Sequence, residues 1–449
     1  MKMRAQIAGV LLTVIACTGS ALLAGQTPAD SGRTWWLSGQ FNGIYQWHPS
    51  FRAAYTGTNS LRPVREDATS RLATFYTGLR LGARTELLLD LESAGGGGIS
   101  QALGLAGFTN LDVVRNPTLG SAPYVARGLI RYTLPLGAQT EPGTAGPLAL
   151  LPTLPVRRLS LAVGKLSMAD VFDVNSAGSD SHLQFMNWTV DNNGAYDYAA
   201  DTRGYTFGAV AEYRNRDWAV RWSEAVMPKV ANGIDYDWHL SRAHGDNLEV
   251  ELDRGIVPGH TGAVRLLGYV NHADMGSYRE AIDAFVAGRD PVPDITAHRR
   301  PGRTKAGVGV NVEQTVGHGL TLFGRAGLNN GGVESFAYTE VDRSLELGTA
   351  WTAPPWRRGD RLGVALVSNG LAPDHREYLA RGGLGFLLGD GALTYQPERI
   401  VEAYYTCTVG WGVSLAFDLQ HITHPGYNRD RGPVTVFALR THLDVPGSP

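Results

Sequence analysis

Residues 35–47 read WWLSGQFNGIYQW. The odd positions are Trp35, Leu37, Gly39, Phe41, Gly43, Tyr45 and Trp47. The even positions are Trp36, Ser38, Gln40, Asn42, Ile44 and Gln46. Successive side chains of a strand point to opposite faces, so this stretch has one apolar face and one largely polar face. The apolar face carries Trp and Tyr near its two ends, where a strand crossing a bilayer places them.

The same period of two recurs along the chain. Leu87, Leu89 and Leu91 alternate with Glu86, Leu88, Asp90 and Glu92. Ala126, Gly128, Ile130, Tyr132 and Leu134 alternate with Arg127 and Arg131. Tyr205, Phe207, Ala209 and Ala211 oppose Thr206, Gly208 and Glu212, and Leu248, Val250 and Leu252 oppose Asn247, Glu249 and Glu251. The pattern predicts strands at 34–47, 72–81, 84–92, 124–134, 158–165, 205–214, 218–226, 247–253, 262–272, 304–315, 320–328, 344–353, 360–368, 398–409, 413–422 and 433–445. These make about sixteen, an even number as bacterial single-chain barrels require. Some connections are tight, such as 80–84 and Val409-Gly410-Trp411-Gly412-Val413. Others are long: 48–71, 93–123, 166–204, 227–246, 273–303, 329–343 and 423–432. Short turns on one rim and long loops on the other describe a closed antiparallel transmembrane β-barrel. Alternation alone is shared with soluble sandwiches; the loop asymmetry and strand number favour the barrel.

The N-terminus agrees. Met1-Lys2-Met3-Arg4 is basic, residues 7–25 are apolar and small, and Gln26 to Asp30 turn polar, the layout of a secretory signal peptide over 1–25. Val14-Ile15-Ala16-Cys17 resembles a lipobox, but the apolar run continues past Cys17. The expected organisation is 1–25 signal peptide, 26–33 extension, 34–445 barrel and 446–449 tail. No later stretch is apolar enough for a spanning helix. An exported chain that crosses hydrocarbon without one must close its backbone hydrogen bonds in a barrel.

Composition narrows the function. The 449 residues hold 40 Lys plus Arg and 42 Asp plus Glu, a formal charge of −2, which excludes a polybasic nucleic-acid binder. Two cysteines exclude a disulfide scaffold. Catalytic and metal motifs are absent: no H-E-x-x-H, no G-x-S-x-G, no P-loop. The Asp173 stretch opens like a calcium loop, but Ala177 stands at a ligand position. No metal or cofactor is therefore expected.

The predicted inward face carries both charge signs: Arg84, Glu86, Asp90, Glu92, Arg127, Arg131, Glu212, Arg221, Glu249, Glu251, Arg265, Glu313, Arg325, Glu402, Asp418 and Arg440. Mixed signs suit a neutral, hydroxyl-rich solute, because carboxylates accept from hydroxyls and Arg donates in a fixed fork. Loop 93–123 is glycine-rich and mildly amphipathic, so it is able to fold inward and narrow a pore. Loop 166–204 sets Phe172, Phe185, Trp188, Tyr196 and Tyr198 beside Asp170, Asp173, Asn175, Asp191, Asn192 and Asn193. Aromatic faces beside carboxylates and amides are a common way to grip a sugar ring. The plainer reading of that loop is ordinary surface structure. Residues 274–285 are expected to form a short helix.

The C-terminal third carries a family resemblance. VSNGLAPDHREYLARGG over 367–383, Glu402-Ala403-Tyr404-Tyr405 and HPGYNRDRGPV over 424–434 resemble the endings of the carbohydrate-selective porins of Gram-negative outer membranes, the OprB type. Further matches are Gln184-Phe185-Met186-Asn187-Trp188, Asn193-Gly194-Ala195-Tyr196-Asp197-Tyr198 and Arg203-Gly204-Tyr205-Thr206. The resemblance implies a monomeric sixteen-stranded pore, built by the barrel assembly machinery in outer-membrane lipid. It also implies facilitated diffusion of mono- and oligosaccharides, not an enzyme, with Arg and Glu at the constriction. Arg84, Glu86, Arg127 and Arg131 match charged strand positions of that family; with Asp90 from the inward face and Trp188 from loop 166–204 they are the candidates for pore lining and sugar contact. The ending departs from outer-membrane barrels, which usually finish on an aromatic residue: here Leu443-Asp444-Val445 is followed by Pro446-Gly447-Ser448-Pro449. The alternatives are a porin for another small solute, such as an organic acid, and a secreted β-rich enzyme acting on polysaccharides.

Overall fold

The computed structural model describes residues 34–116 and 119–447. The expected signal peptide, with Cys17, lies outside them. Among the described residues there are eighteen strands: β1 Trp35–His48, β2 Glu66–Arg80, β3 Thr85–Gly96, β4 Tyr124–Pro135, β5 Thr140–Pro142, β6 Thr153–Pro155, β7 Arg158–Leu166, β8 Thr206–Asn215, β9 Trp218–Val226, β10 His244–Leu252, β11 Gly262–Met275, β12 Arg300–Gly317, β13 Leu320–Asn329, β14 Arg343–Thr352, β15 Arg361–Gly370, β16 Glu398–Gly410, β17 Val413–Thr423 and β18 Val434–Val445. All but β5 and β6 form one closed antiparallel barrel of sixteen strands, each paired with its barrel neighbours in sequence. The ring closes where β1 pairs β18, from Gly39 opposite Val445 to Trp47 opposite Phe437.

Closure turns the usual protein inside out. On β1 the apolar residues Trp35, Leu37, Phe41 and Tyr45 are exposed, whereas Gln40, Asn42 and Gln46 are buried. The same division holds on β10, where Leu248 and Leu252 face out and Asn247, Glu249 and Glu251 face in. The outer surface thus matches hydrocarbon, and each barrel strand is hydrogen-bonded to a strand on either side. Aromatic pairs mark both rims. Tyr213–Trp218 and Trp351–Trp356 lie at the turn rim, with ring centroids 5.1 and 5.2 Å apart. Trp47–Phe437 and Phe207–Trp238 lie at the loop rim, both at 5.2 Å.

Each of the sixteen expected strands corresponds to one barrel strand, but the ends differ. β2 starts at Glu66 and β12 at Arg300, several residues earlier than alternation predicts. The extra outward positions of β2 are Asp67, Thr69 and Arg71. They stand above the hydrocarbon, where no apolar side chain is required and the pattern vanishes. On β4 the predicted alternation fails at one residue. Asp90 pairs Arg127 and Leu91 pairs Val125, so Ala126 is a bulge. Val125 faces out and Ala126 is fully buried, the reverse of the expected face. Tyr205, placed on the outer face by its spacing, precedes β8 and is buried; a residue outside the strand does not obey the strand's period.

The connections also differ in detail. A further long loop, 371–397, joins β15 to β16, and it holds the helix Pro373–Ala380. The expected helix in 274–285 is present as Tyr278–Val286. On the turn rim most connections are short, but 136–157 is long and contains the small hairpin β5–β6. The core lies inside the barrel, where segments 97–116 and 167–205 fold inward: Ile99, Phe108, Phe172 and Phe185 are fully buried.

The lipid face gives a direct test. Leu347, mid-strand on β14 and 58% exposed, should tolerate Ile, whereas Leu347→Arg should cost about 2–4 kcal/mol. Urea-driven folding into lipid vesicles measures this; a near-zero cost for Arg would place Leu347 off the bilayer.

Candidate functional site

The inward carboxylates do one job repeatedly: they accept backbone N–H groups of the loops folded into the barrel. Glu398 accepts from Gly107 at 2.8 Å, Ala106 at 3.1 Å and Gly426 at 2.7 Å. Glu402 accepts from Met186 at 2.6 Å, and Glu249 from Asp173 at 2.7 Å. Glu313 accepts from Ser176 at 2.9 Å. A buried backbone N–H needs an acceptor, and an ionised one makes a stronger bond than a neutral one.

Arg325, fully buried on β13, holds loop 167–205 from the opposite side. Its guanidinium pairs with Asp173 at 3.1 Å and Glu346 at 3.2 Å, and donates to the carbonyls of Val190 at 2.6 Å and Asp191 at 3.1 Å. Asn193 enters a space left by two strand glycines: a Cβ on Gly327 would come within 2.2 Å of its Oδ1, and one on Gly309 within 2.9 Å of its Nδ2. The two inserted loops are also tied to each other. Leu111 N–H donates to Met186 O at 3.0 Å and Trp188 N–H to Phe108 O at 2.9 Å.

This clamping separates the candidates of loop 167–205 into two groups. Phe172, Asp173, Asn175, Phe185, Asn193 and Tyr196 are buried in the packing and hold the loop's shape. Asp170, Trp188, Asp191, Asn192 and Tyr198 border open space. Asn187 caps the short helix Trp188–Asp191 by accepting from Thr189 N–H at 3.0 Å. The Trp188 ring is stacked 5.8 Å from Tyr338, and its Nε1 donates to Asn110 O at 2.8 Å.

Two cavities border these residues and strands. The one toward the loop rim is about 820 Å³ and is lined by aromatic and acidic groups, among them Tyr124, Tyr205, Tyr338, Asp112, Asp180 and Asp191. The one toward the turn rim is about 470 Å³, and Arg131, Arg158, Arg214, Arg221 and Arg265 line it with Glu86, Glu212 and Glu251. These arginines are paired: Arg221 with Glu212 at 2.7 Å and Glu249 at 2.8 Å, Arg265 with Glu251 at 2.6 Å, Arg158 with Glu141 at 2.8 Å. The two cavities share Arg127, Asp170, Ser167, Thr144, Leu148 and Ala149, which mark a neck between them.

Arg127 is the centre of that neck. It forms a two-pronged bond with Asp170 at 2.6 and 2.7 Å and reaches Asp90 at 3.3 Å. Its guanidinium lies 5.3 Å from the centre of the Tyr205 ring. The Ala126 bulge sits directly before it, and bulges re-aim the neighbouring side chain. Below it, Glu86 and Arg131 are 3.6 Å apart, and Arg131 donates to Leu148 O at 2.8 Å. Of the six candidates, Glu86, Asp90, Arg127 and Arg131 cluster on the facing strands β3 and β4, and Trp188 lies on the loop above. Arg84 does not join them: it is exposed on the turn between β2 and β3, because Thr85 begins the strand. Sequence reading missed Tyr124, Tyr205, Tyr338 and the 144–149 stretch. The length of the 136–157 connection, on a rim of short turns, was the available signal for the last.

Burial and neighbouring charges displace two loop groups of the upper cavity from their ordinary titration ranges. Burial pulls the His182 imidazolium down, but the Asp112 carboxylate 3.4 Å away overcomes this and holds it up at about 9. Burial pushes the Asp191 carboxyl up to about 7; Arg325 and His182 oppose the rise, and Asp180 and Asp112 add to it. Asp191 is therefore neutral below that pH and ionised above it. Cation preference, read as reversal potential in a KCl gradient, should fall between about pH 8 and about pH 6 as this charge is lost. Asp191→Asn should flatten that step; a variant with the full step would assign it to another group.

A family model described as carbohydrate-selective porin, OprB family, matches residues 152–444. No curated protein matches the chain. Among solved structures, OprB of Pseudomonas putida at high pH is similar over 92% of this chain and 94% of that one, with 14% identity and a TM-score of 0.67. The low-pH structure of the same protein has 11% identity over 92% of each chain and a TM-score of 0.49. The outer-membrane channel DcaP of Acinetobacter baumannii has 10% identity over 95% of this chain and 99% of that one, with a TM-score of 0.47. The first likeness agrees with the barrel in fold. The protein is a channel rather than an enzyme, its place is the Gram-negative outer membrane, and its solutes are carbohydrates, for the chain belongs to the OprB family of carbohydrate-selective porins.

Proposed function

We propose that a neutral sugar passes the neck by exchanging hydroxyl contacts with Arg127, Asp170 and Asp90. The observation carrying this reading is the Arg127–Asp170–Asp90 cluster at the point where both cavities meet. Arg donates and carboxylates accept in fixed directions, so alternate hydroxyls of a pyranose find partners without any net charge on the solute. Trp188, Tyr198 and Tyr205 border the upper cavity and offer ring faces for the C–H side of the sugar. Arg84 has no part in this path; it stays on the outer turn.

Passage needs contacts that are weak and shared among several sites, since a tight site would hold the solute. The lumen fits that need. The arginines lining the lower cavity are matched by carboxylates, which removes the bias toward an organic acid that unpaired cations there would give. The protein acts as a monomer, with the expected 1–25 segment removed on export and the barrel assembly machinery inserting the 34–445 region.

Swelling of proteoliposomes across neutral sugars, organic acids and size-matched polyols tests the proposal. Sugars should permeate faster than polyols of equal size, and Arg127→Gln should reduce that preference by about tenfold or less, as loss of one hydrogen-bonded contact of about 0.5–1.5 kcal/mol implies. Equal rates for all solutes of one size, in both proteins, would refute the assigned contacts.

A further inference from the structure

We infer that segment 143–151, entering the barrel from the turn rim, forms a wall of the neck and sets its width. The inference deepens the sugar reading and rests on it only for the identity of the solute. Most connections on this rim are brief, for example 216–217, 318–319 and 411–412, and the next longest is 253–261, whereas 136–157 is longer than any of them. Its β5–β6 base pairs Thr140 with Pro155 and Pro142 with Thr153. Gly143 N–H then donates to Pro152 O at 2.8 Å, and the tip closes as Gly146 and Ala149 exchange N–H···O bonds of 2.8 and 3.2 Å.

The segment is fastened inside the barrel, not draped beneath it. The Leu150 N–H donates to the Glu86 carboxylate, and Leu148 O accepts from Arg131 at 2.8 Å. Leu150 and Leu151 are buried. Leu150 packs over Gly78 on β2, where a Cβ would come within 2.7 Å of its Cδ1. Fastened there, the segment puts Thr144, Leu148 and Ala149 on both cavities beside Arg127 and Asp170.

The neck therefore has two chemically different linings: an ion pair supplied by β4 and the inserted loop, and an apolar, small-residue tip supplied from the opposite rim. A pyranose has the same two kinds of surface, hydroxyl edges and a C–H face. Two of the six sequence candidates, Glu86 and Arg131, accordingly act here as positioning residues, because their polar atoms hold the tip. A Cβ on Gly146 would meet nothing within 4 Å, so a large side chain placed there extends into open space.

Two variants of the full chain test this in planar bilayers, with folding checked by heat-modifiable migration. Replacing 143–151 by Gly-Gly should raise single-channel conductance by about twofold or more and admit larger oligosaccharides. Gly146→Trp should lower conductance to about half or less. Unchanged conductance in Gly146→Trp overturns the inference, whether or not the shortened chain folds; an unchanged size limit in a folded shortened chain overturns it as well. Conductance is read in salt alone. If both variants respond but sugars permeate no faster than size-matched polyols, the sugar contacts fail and the wall stands. If sugar preference holds while conductance ignores both variants, the wall fails and the contacts stand.

Discussion

A chain crossing hydrocarbon has no water to satisfy its backbone, so each strand must give its N–H and C=O groups to another strand of the same chain. The pairing of β1 with β18 completes that condition. Once the ring closes, the remaining features follow in order. The outer positions must be apolar, the inner positions are free to be polar, and the inner volume becomes the place where sequence sets function.

A ring of sixteen strands is wide enough to leave a broad aqueous channel. This chain fills much of it with its own loops, and the cost of burying loop backbone decides what the strands carry. Glu249, Glu313, Glu398 and Glu402 accept loop N–H groups, and Arg325 donates to loop carbonyls while pairing with Asp173 and Glu346. Many inward charges thus anchor the constriction instead of touching the solute. Removing one partner of such a buried set leaves an unpaired charge, which is strongly destabilising. The loops are consequently part of the rigid body, and the neck they leave has a defined shape.

The barrel was legible because alternation is a consequence of geometry that each strand repeats separately. Val250 and Glu251 report opposite faces without any knowledge of the rest of the chain. Legibility stopped where that geometry stopped. At Ala126 one extra residue shifts the period, and at Tyr205 the strand has not yet begun. At Asp67 and Thr69 the strand has left the hydrocarbon. The charges of the lumen were correctly turned inward, with Arg84 as the exception. Whether an inward charge is an anchor or a pore group depends on loops far away in sequence: Glu402 meets Met186, and Arg325 meets Asp173. Period-two patterning holds no such information. The same applies to segment 143–151, whose route into the barrel depends on Glu86 and Arg131 being free to receive it.

The claim beneath all of this is a closed wall, apolar outside and wet inside, with a permanent narrow neck. Single-channel recording of the purified protein in a planar lipid bilayer tests it most directly. The account predicts discrete, ohmic conductance steps from protein that requires detergent before reconstitution. A chain that stays dissolved in plain buffer and leaves the bilayer silent would contradict it.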